Sequence, residues 1–297
     1  YQIFSMQPYG GISRYFTRVA ENLLDMGQEA RIFAPRYCNK YLASLTSGVV
    51  FGRYVRRFPP KTTRFVLAYN RFLFNQVHSG WSPDIVHETY FARYGSAPKG
   101  CPTVVTVYDM INELFHDEMP ITDNTPKLKS LSIERSDAVI CISENTKQDL
   151  MRILGTPENK ISVVHLGFDK FVSKNYEDFN ENFVERPFLL YVGNRNGYKN
   201  FTSLLNAVAS SSRLLADFDI ISFGGPKFSS SEQRLFKSLG YSLNQVKHKH
   251  GSDVALGFFY SRATAFVYPS LYEGFGIPPF EAMAHRCPVI CSNASSI

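Results

Sequence analysis

Nine short apolar runs, separated by stretches with helical spacing, constrain this chain more than any other feature. Five occupy 31–34, 84–86, 103–107, 138–142 and 162–164; four more occupy 188–192, 218–223, 265–267 and 289–291. Most are continuous rather than alternating, as strands covered on both faces must be, so they predict parallel sheets with helical crossovers, an α/β fold. The spacing predicts helices over 13–26, 143–154, 201–210, 230–238 and 279–285. Met26-Gly27 and Leu154-Gly155 read as helix ends with the glycine just beyond. The two series imply two α/β domains, 1–168 and 188–297, joined by the polar, charged stretch 169–187. The second series stops soon after 289–291, so its domain is expected to be incomplete.

Composition narrows the class. Hydrophobic content of 44% with 20% charge is ordinary for a globular chain. No run approaches the ~18 apolar residues of a bilayer-crossing helix; the richest, 65–77, is broken by Asn70, Arg71, Asn75 and Gln76. Five cysteines (Cys38, Cys101, Cys141, Cys287, Cys291) are odd in number and mostly embedded in apolar runs, which suits a reducing compartment. Cys287 and Cys291 have no second pair with which to hold zinc.

Chemistry concentrates where strands end. The segment Tyr268-Pro-Ser-Leu-Tyr-Glu-Gly-Phe-Gly-Ile-Pro-Pro-Phe-Glu-Ala-Met283 carries Glu273 and Glu281 eight positions apart, around the Gly274-Phe275-Gly276 turn and Pro278-Pro279. Strand, glycine turn and helix start form an anion site, because free N–H groups and the helix dipole favour phosphate. Glu281 is placed on the first helical turn, where capping alone would explain it; Glu273, in the loop, needs a separate reason. The segment Val192-Gly193-Asn-Arg195-Asn-Gly-Tyr-Lys199-Asn200 repeats the arrangement after the first strand of the second series. Cations at a helix start oppose the dipole, so Arg195 and Lys199 imply a nearby anion. Lys199 is expected to be exposed without ligand. A third glycine turn, Gly10-Gly11, precedes the first helix, and Asp109 closes the 103–107 strand, either as a strand-end cap or oriented on hydroxyls. Ser143 suits a helix N-cap.

These residues resemble the Glu-x7-Glu signature and its companion motifs in retaining glycosyltransferases of GT-B architecture, the family 4 type that includes sucrose synthase and bacterial O-antigen and capsule mannosyltransferases. The resemblance implies two facing Rossmann-like domains, the acceptor on the first and a nucleotide-sugar on the second. It assigns Glu273 to the donor sugar, and Gly274, Phe275 and Gly276 to sugar and pyrophosphate. Glu281 is assigned to ribose, and Gly193, Arg195 and Lys199 to the diphosphate. Gly10 and Gly11 are implied to close on the pyrophosphate, with Asp109 at the reacting sugar. Many relatives carry His where this chain has Tyr108, which leaves the reading of the sugar open. The implied reaction is metal-independent transfer with retention and without a cofactor. GDP-mannose is the first choice of donor, and a lipid-linked or polysaccharide acceptor is implied. A nucleotide-sugar epimerase and an inactive sugar-nucleotide-binding subunit are the alternatives.

From 30 to 83 the chain has nine cations and no Asp or Glu, interleaved with aromatic residues. Arg53, Arg56, Arg57, Lys61 and Arg64 suit the headgroup level of an anionic leaflet. Together with the resemblance, this implies a cytoplasmic protein, peripheral at the inner face of a bacterial membrane; a solvated basic face without a partner is the alternative, and the donor-site motifs argue against nucleic acid as partner.

Overall fold

The computed structural model describes residues 1–45, 48–77, 82–168, 186–195 and 197–297, without the side chains of 74–77. Most of the expected joining stretch, 169–187, lies outside the described residues, as do Asn196 and the side chain of Phe74. The chain divides into two compact units. One comprises Tyr1–Val107, Ile121–Cys141 and Asp149–Val163; the other comprises Tyr108–Pro120, Ile142–Gln148 and Val164–Ile297.

Among the described residues the first unit contains six strands: β1 (Ile32–Tyr37), β2 (Val50–Tyr54), β3 (Val86–Glu88), β4 (Thr103–Val107), β5 (Ala138–Cys141) and β6 (Ile161–Val163). They form a parallel pair, β1-β2, and a four-stranded parallel sheet in the order β3-β4-β5-β6. The helices of this half of the sequence are α1 (Gln2–Met6), α2 (Gly11–Asp25), α3 (Lys40–Ala43), α4 (Thr63–Val77), α5 (Ile111–Leu114), α6 (Thr125–Arg135) and α7 (Glu144–Leu154). β4 is buried throughout, as its unbroken Thr-Val-Val-Thr-Val sequence requires. A cavity of about 410 Å³ opens among β1, β3 and α2, lined by Phe33, Val86, His87, Phe16 and Ala20.

The second unit carries β7 (Phe188–Val192), β8 (Asp219–Phe223), β9 (Val246–Lys249), β10 (Ala265–Tyr268) and β11 (Val289–Cys291). Its helices are α8 (Phe201–Ala209), α9 (Ser212–Asp217), α10 (Ser230–Ser238), α11 (Asp253–Arg262) and α12 (Ile277–Ala284). All pairs are parallel and the order is β11-β10-β7-β8-β9. The chain winds outward from β7 in one direction through β8 and β9, then returns to the other side of β7 as β10. The switch point of this doubly wound sheet therefore lies between β7 and β10. Its core gathers Phe188, Leu190, Ile221, Phe258, Phe259, Tyr260 and Phe266, and each such side chain removed from water stabilises by about 1.5–3 kcal/mol.

Several elements depart from the expectations. β2 and β9 were not foreseen, because Gly52 and Arg53 break the short apolar run of β2 and the edge strand β9 carries Lys-His-Lys in place of an apolar signal. The interrupted run 65–77 falls in α4. α11 is buried on several sides at Ala255, Gly257, Phe258, Phe259 and Tyr260, so it shows little helical periodicity. Pro278 and Pro279 are the second and third residues of α12, which starts at Ile277.

His87 Nε2 lies 2.8 Å from Thr106 Oγ1, and burial pushes its imidazole from the usual 6.5 down to about 4. The unfolded imidazole takes its proton near pH 6.5 and the folded one only near 4. The stabilisation is therefore complete above pH 6.5 and is lost as pH falls toward 4. We expect His87→Asn to flatten the pH dependence of urea unfolding between pH 6.5 and 4 by up to about 3 kcal/mol. An unchanged slope would show that this histidine does not set it.

Candidate active site

The loops leaving β7 and β10 meet because these strands are parallel neighbours, with Leu190 opposite Phe266. Three hydrogen bonds to main-chain carbonyls then fix the loops. Leu271 N–H donates to the Tyr198 carbonyl at 2.7 Å. Asn200, left-handed at the N-cap of α8, donates its side-chain amide to the Pro269 carbonyl at 3.1 Å. Gly193 N–H extends the ladder to the Phe223 carbonyl at 2.9 Å. With these in place, Lys199 Nζ reaches Glu273 Oε1 at 2.6 Å.

This pair is not the exposed cation expected for Lys199. The lysine side chain is 21% exposed and that of Glu273 only 9%. The ammonium also lies 5.3 and 5.9 Å from the ring centres of Tyr198 and Tyr268. Burial, then the Glu273 charge and its hydrogen bond, push the Tyr268 hydroxyl far above its ordinary value. Burial, followed by Glu273, Asp109 and Glu118, raises Tyr198 to about 12. Both phenols stay protonated at neutral pH. The main chain of Glu273 is held by serines near Ile297: Ser295 Oγ accepts its N–H at 2.8 Å, and Ser295 and Ser296 both donate to its carbonyl.

Arg195 is in different company. Its Nε donates to Glu232 Oε1 at 2.6 Å and one terminal nitrogen to the Pro226 carbonyl at 2.8 Å. The guanidinium lies 4.6 Å from the centre of the Phe228 ring, and the side chain is 4% exposed. Burial raises the Glu232 carboxyl, but the Arg195 bond and those from Ser229 outweigh it and hold the group below its ordinary value. The two cations placed together by the sequence thus have separate acidic partners.

The glycine turn is shaped by close approach. A Cβ on Gly274 would sit 1.7 Å from the Tyr108 carbonyl oxygen, and the Gly274 carbonyl accepts from Thr146 Oγ1 at 3.3 Å. Gly276 is left-handed, φ +84°, as the N-cap of α12. Phe275 stacks on Phe280 at 5.6 Å. Glu281 lies in the second turn of α12, not the first, and Oε2 accepts from the Tyr260 hydroxyl at 3.4 Å. Asp109 Oδ1 accepts the Ile111 N–H at 3.1 Å just ahead of α5, whose N-cap is Met110. In the first unit Gly10 and Gly11 form the N-cap and first residue of α2. Among the described residues, no group of three or more His, Cys, Asp or Glu side chains is set to hold a metal ion. Thr146, Ser295, Ser296 and Glu118 were missed as site residues; only Thr146 carried a signal, in Ile142-Ser-Glu-Asn-Thr146.

Residues 9–170 match the family described as Glycosyltransferase Family 4. The chain belongs to this family. Residues 173–297 match the description "Glycosyl transferases group 1". Among relatives of this family 4 chain, the O-antigen chain mannosyltransferase RfbU of Salmonella typhimurium is 34% identical over 191 residues, 64% of this chain and 51% of that protein. O-antigen chain mannosyltransferase B of Escherichia coli is 24% identical over 183 residues, 56% of this chain and 46% of that protein. The chain spans about half the length of these curated relatives. The fold is that of GT-B glycosyltransferases. The apo lipopolysaccharide outer core galactosyltransferase WaaB superposes with a TM-score of 0.65 at 17% identity, over 99% of this chain and 80% of that one. Anabaena Alr3699/HepE, in complex with UDP and glucose, gives 0.68 at 16% identity, over 98% and 79%.

In this family 4 chain Gly274→Ala would force a methyl against main chain rather than a movable side chain. We expect a loss of about 1–3 kcal/mol in chemical unfolding. Wild-type stability in that variant would show that the Tyr108 carbonyl does not press on the turn.

Proposed function

We propose that the chain is a retaining glycosyltransferase that moves a hexose, mannose from GDP-mannose, onto a lipid-linked or polysaccharide acceptor in cell-surface glycan synthesis. The observation that carries this reading is the Lys199–Glu273 pair at the switch point of the second sheet, where open α/β sheets bind their ligands. A nucleotide-sugar offers each partner a replacement: its diphosphate takes the ammonium and its sugar hydroxyls take the carboxylate. The mannosyl choice is supported by the relatives named for mannose transfer.

In the reaction the bond from the anomeric carbon to the diphosphate oxygen breaks. The acceptor oxygen bonds to the same face, and its proton passes to the departing phosphate oxygen. Lys199 and the N–H groups of the Gly274–Gly276 turn stabilise the charge that builds on that phosphate. This needs neither a metal nor a cofactor. Arg195 stiffens the turn through Glu232, and contacts the diphosphate only where a phosphate displaces that carboxylate. Glu281 serves the ribose hydroxyls, and Gly10 and Gly11 the pyrophosphate.

Lys199→Met should lower the turnover of sugar transfer about 100-fold or more. It should also destabilise the fold by about 1–3 kcal/mol, because a largely buried carboxylate loses its partner. Adding Glu273→Gln should restore stability but not transfer. Near-normal transfer by Lys199→Met, followed as nucleotide release that depends on acceptor, would sink the reading.

The acceptor side is proposed to face an anionic membrane surface. In the first unit Arg53, Arg56, Arg57, Lys61 and Arg64 are all exposed. α4 adds an aromatic stripe at i, i+4 and i+7: Phe65, Tyr69 and Phe72 are 76%, 44% and 61% exposed. No helix among the described residues is long and apolar enough to cross a membrane. The protein should sediment with anionic but not neutral vesicles and release as salt rises, at about 1 kcal/mol per cation near the surface. Charge reversal at Arg56, Arg57 and Lys61 should abolish sedimentation while leaving donor binding intact. No binding to anionic vesicles at low salt would reject this docking face.

A further inference from the structure

The segment Tyr108–Pro120 leaves β4 and belongs to the second unit. Asp109 lies near its start and a short 3-10 turn, His116–Glu118, near its end, and the proposed reaction gives the last carboxylate of that turn no role. Glu118 Oε2 accepts the Tyr198 N–H at 3.1 Å. Gly197 lies directly against that carboxylate: a Cβ there would sit 1.8 Å from Oε2 and 2.2 Å from Cδ. The Phe115 ring packs beside these contacts, 5.3 Å from Tyr198 and 6.2 Å from Tyr272. Both main-chain polar groups of Tyr198 are thus held, the N–H by Glu118 and the carbonyl by Leu271. The next residue is Lys199, which meets Glu273.

We propose that Glu118 is a positioning residue for Lys199. It latches the 108–120 segment onto the Gly197–Lys199 turn, so that the ammonium is aimed at Glu273 in the free protein and at the departing diphosphate when donor is bound. The second half of that statement rests on the transferase reading; the latch does not. Glu118 itself touches no reacting atom. Its action is geometric, through one main-chain hydrogen bond, and the missing Cβ at Gly197 is what lets the carboxylate approach. A small displacement of a charge-stabilising group is enough to slow chemistry steeply. A carboxylate suits the task because a charged acceptor makes a stronger bond to an N–H than a neutral one does.

The test uses Glu118→Ala, Glu118→Gln, Gly197→Ala and the Glu118→Ala/Gly197→Ala double variant. Two readouts are followed: amide hydrogen exchange at Tyr198 in the ligand-free protein, and kcat with donor KM in sugar transfer. Glu118→Ala should speed Tyr198 exchange and lower kcat about 10- to 100-fold with little change in KM. Glu118→Gln keeps an oxygen acceptor at the same place and should return both readouts close to wild type, which a role in bulk charge or solubility would not do. Gly197→Ala should reproduce the loss by driving the carboxylate aside. In the Glu118→Ala background it should add almost nothing, because the groups that clash are gone; such non-additivity is the signature of a shared contact. Unchanged Tyr198 exchange in Glu118→Ala, or equal effects of Gly197→Ala in both backgrounds, would overturn the latch. If the wild-type protein transfers no sugar, the transferase reading falls, and Tyr198 exchange still decides whether Glu118 holds the turn.

Discussion

The parallel pairing of β7 with β10 is the constraint on which the rest of the site depends. These strands are separated by more than seventy positions in sequence, yet Ala265 and Phe266 pair with Leu189 and Leu190. Two loops that never meet in sequence therefore leave the sheet at the same place. Everything else follows locally: Asn200 and Tyr198 bond to Pro269 and Leu271, the loops align, and Lys199 faces Glu273. The apolar runs that make β7 and β10 are thus as much a part of the site's geometry as the charged residues are.

Under the proposed function the ion pair is an arrangement for exchange with ligand groups, and by itself it is a weak source of stability. Taking a carboxylate and an ammonium largely out of water costs several kcal/mol for each, and their attraction roughly repays that cost. Removing one partner is expensive because the other is stranded, while exchanging both for ligand groups is not. A diphosphate-sugar carries an anion for the lysine and hydroxyl donors for the carboxylate, so it suits such an exchange. Arg195 shows the contrast: its guanidinium is occupied by Glu232 and the Pro226 carbonyl, which ties it to 226–232.

Connectivity gives the second unit contributions from distant parts of the sequence. The segment after β4 supplies the Tyr108 carbonyl above Gly274 and the Glu118 carboxylate beside Gly197. The stretch before α7 supplies the Thr146 hydroxyl to Gly274. Gly274 is therefore required by the main chain against it and Gly276 by its own left-handed backbone, while Gly197 leaves room for a side chain that could move. These are distinct physical reasons for glycine within one site.

The sequence by itself determined the α/β class, most central strands, and the strand-turn-helix units that carry Lys199 and Glu273. It could do so because buried parallel strands are continuous apolar runs and because helix starts after glycine turns have recognisable chemistry. It missed β2 and β9, whose edge positions admit Arg, His and Lys, and α11, whose burial on several sides erases helical periodicity. It also set Glu281 one turn early, since a proline pair marks a helix start only to within a residue or two. Only the tertiary structure decided which charges are partners. Lys199 and Arg195 are four residues apart, but one faces Glu273, 74 positions on, and the other Glu232, 37 positions on. Such pairings depend on strand order in the sheet, and strand order is set by packing the whole unit, not by any local pattern.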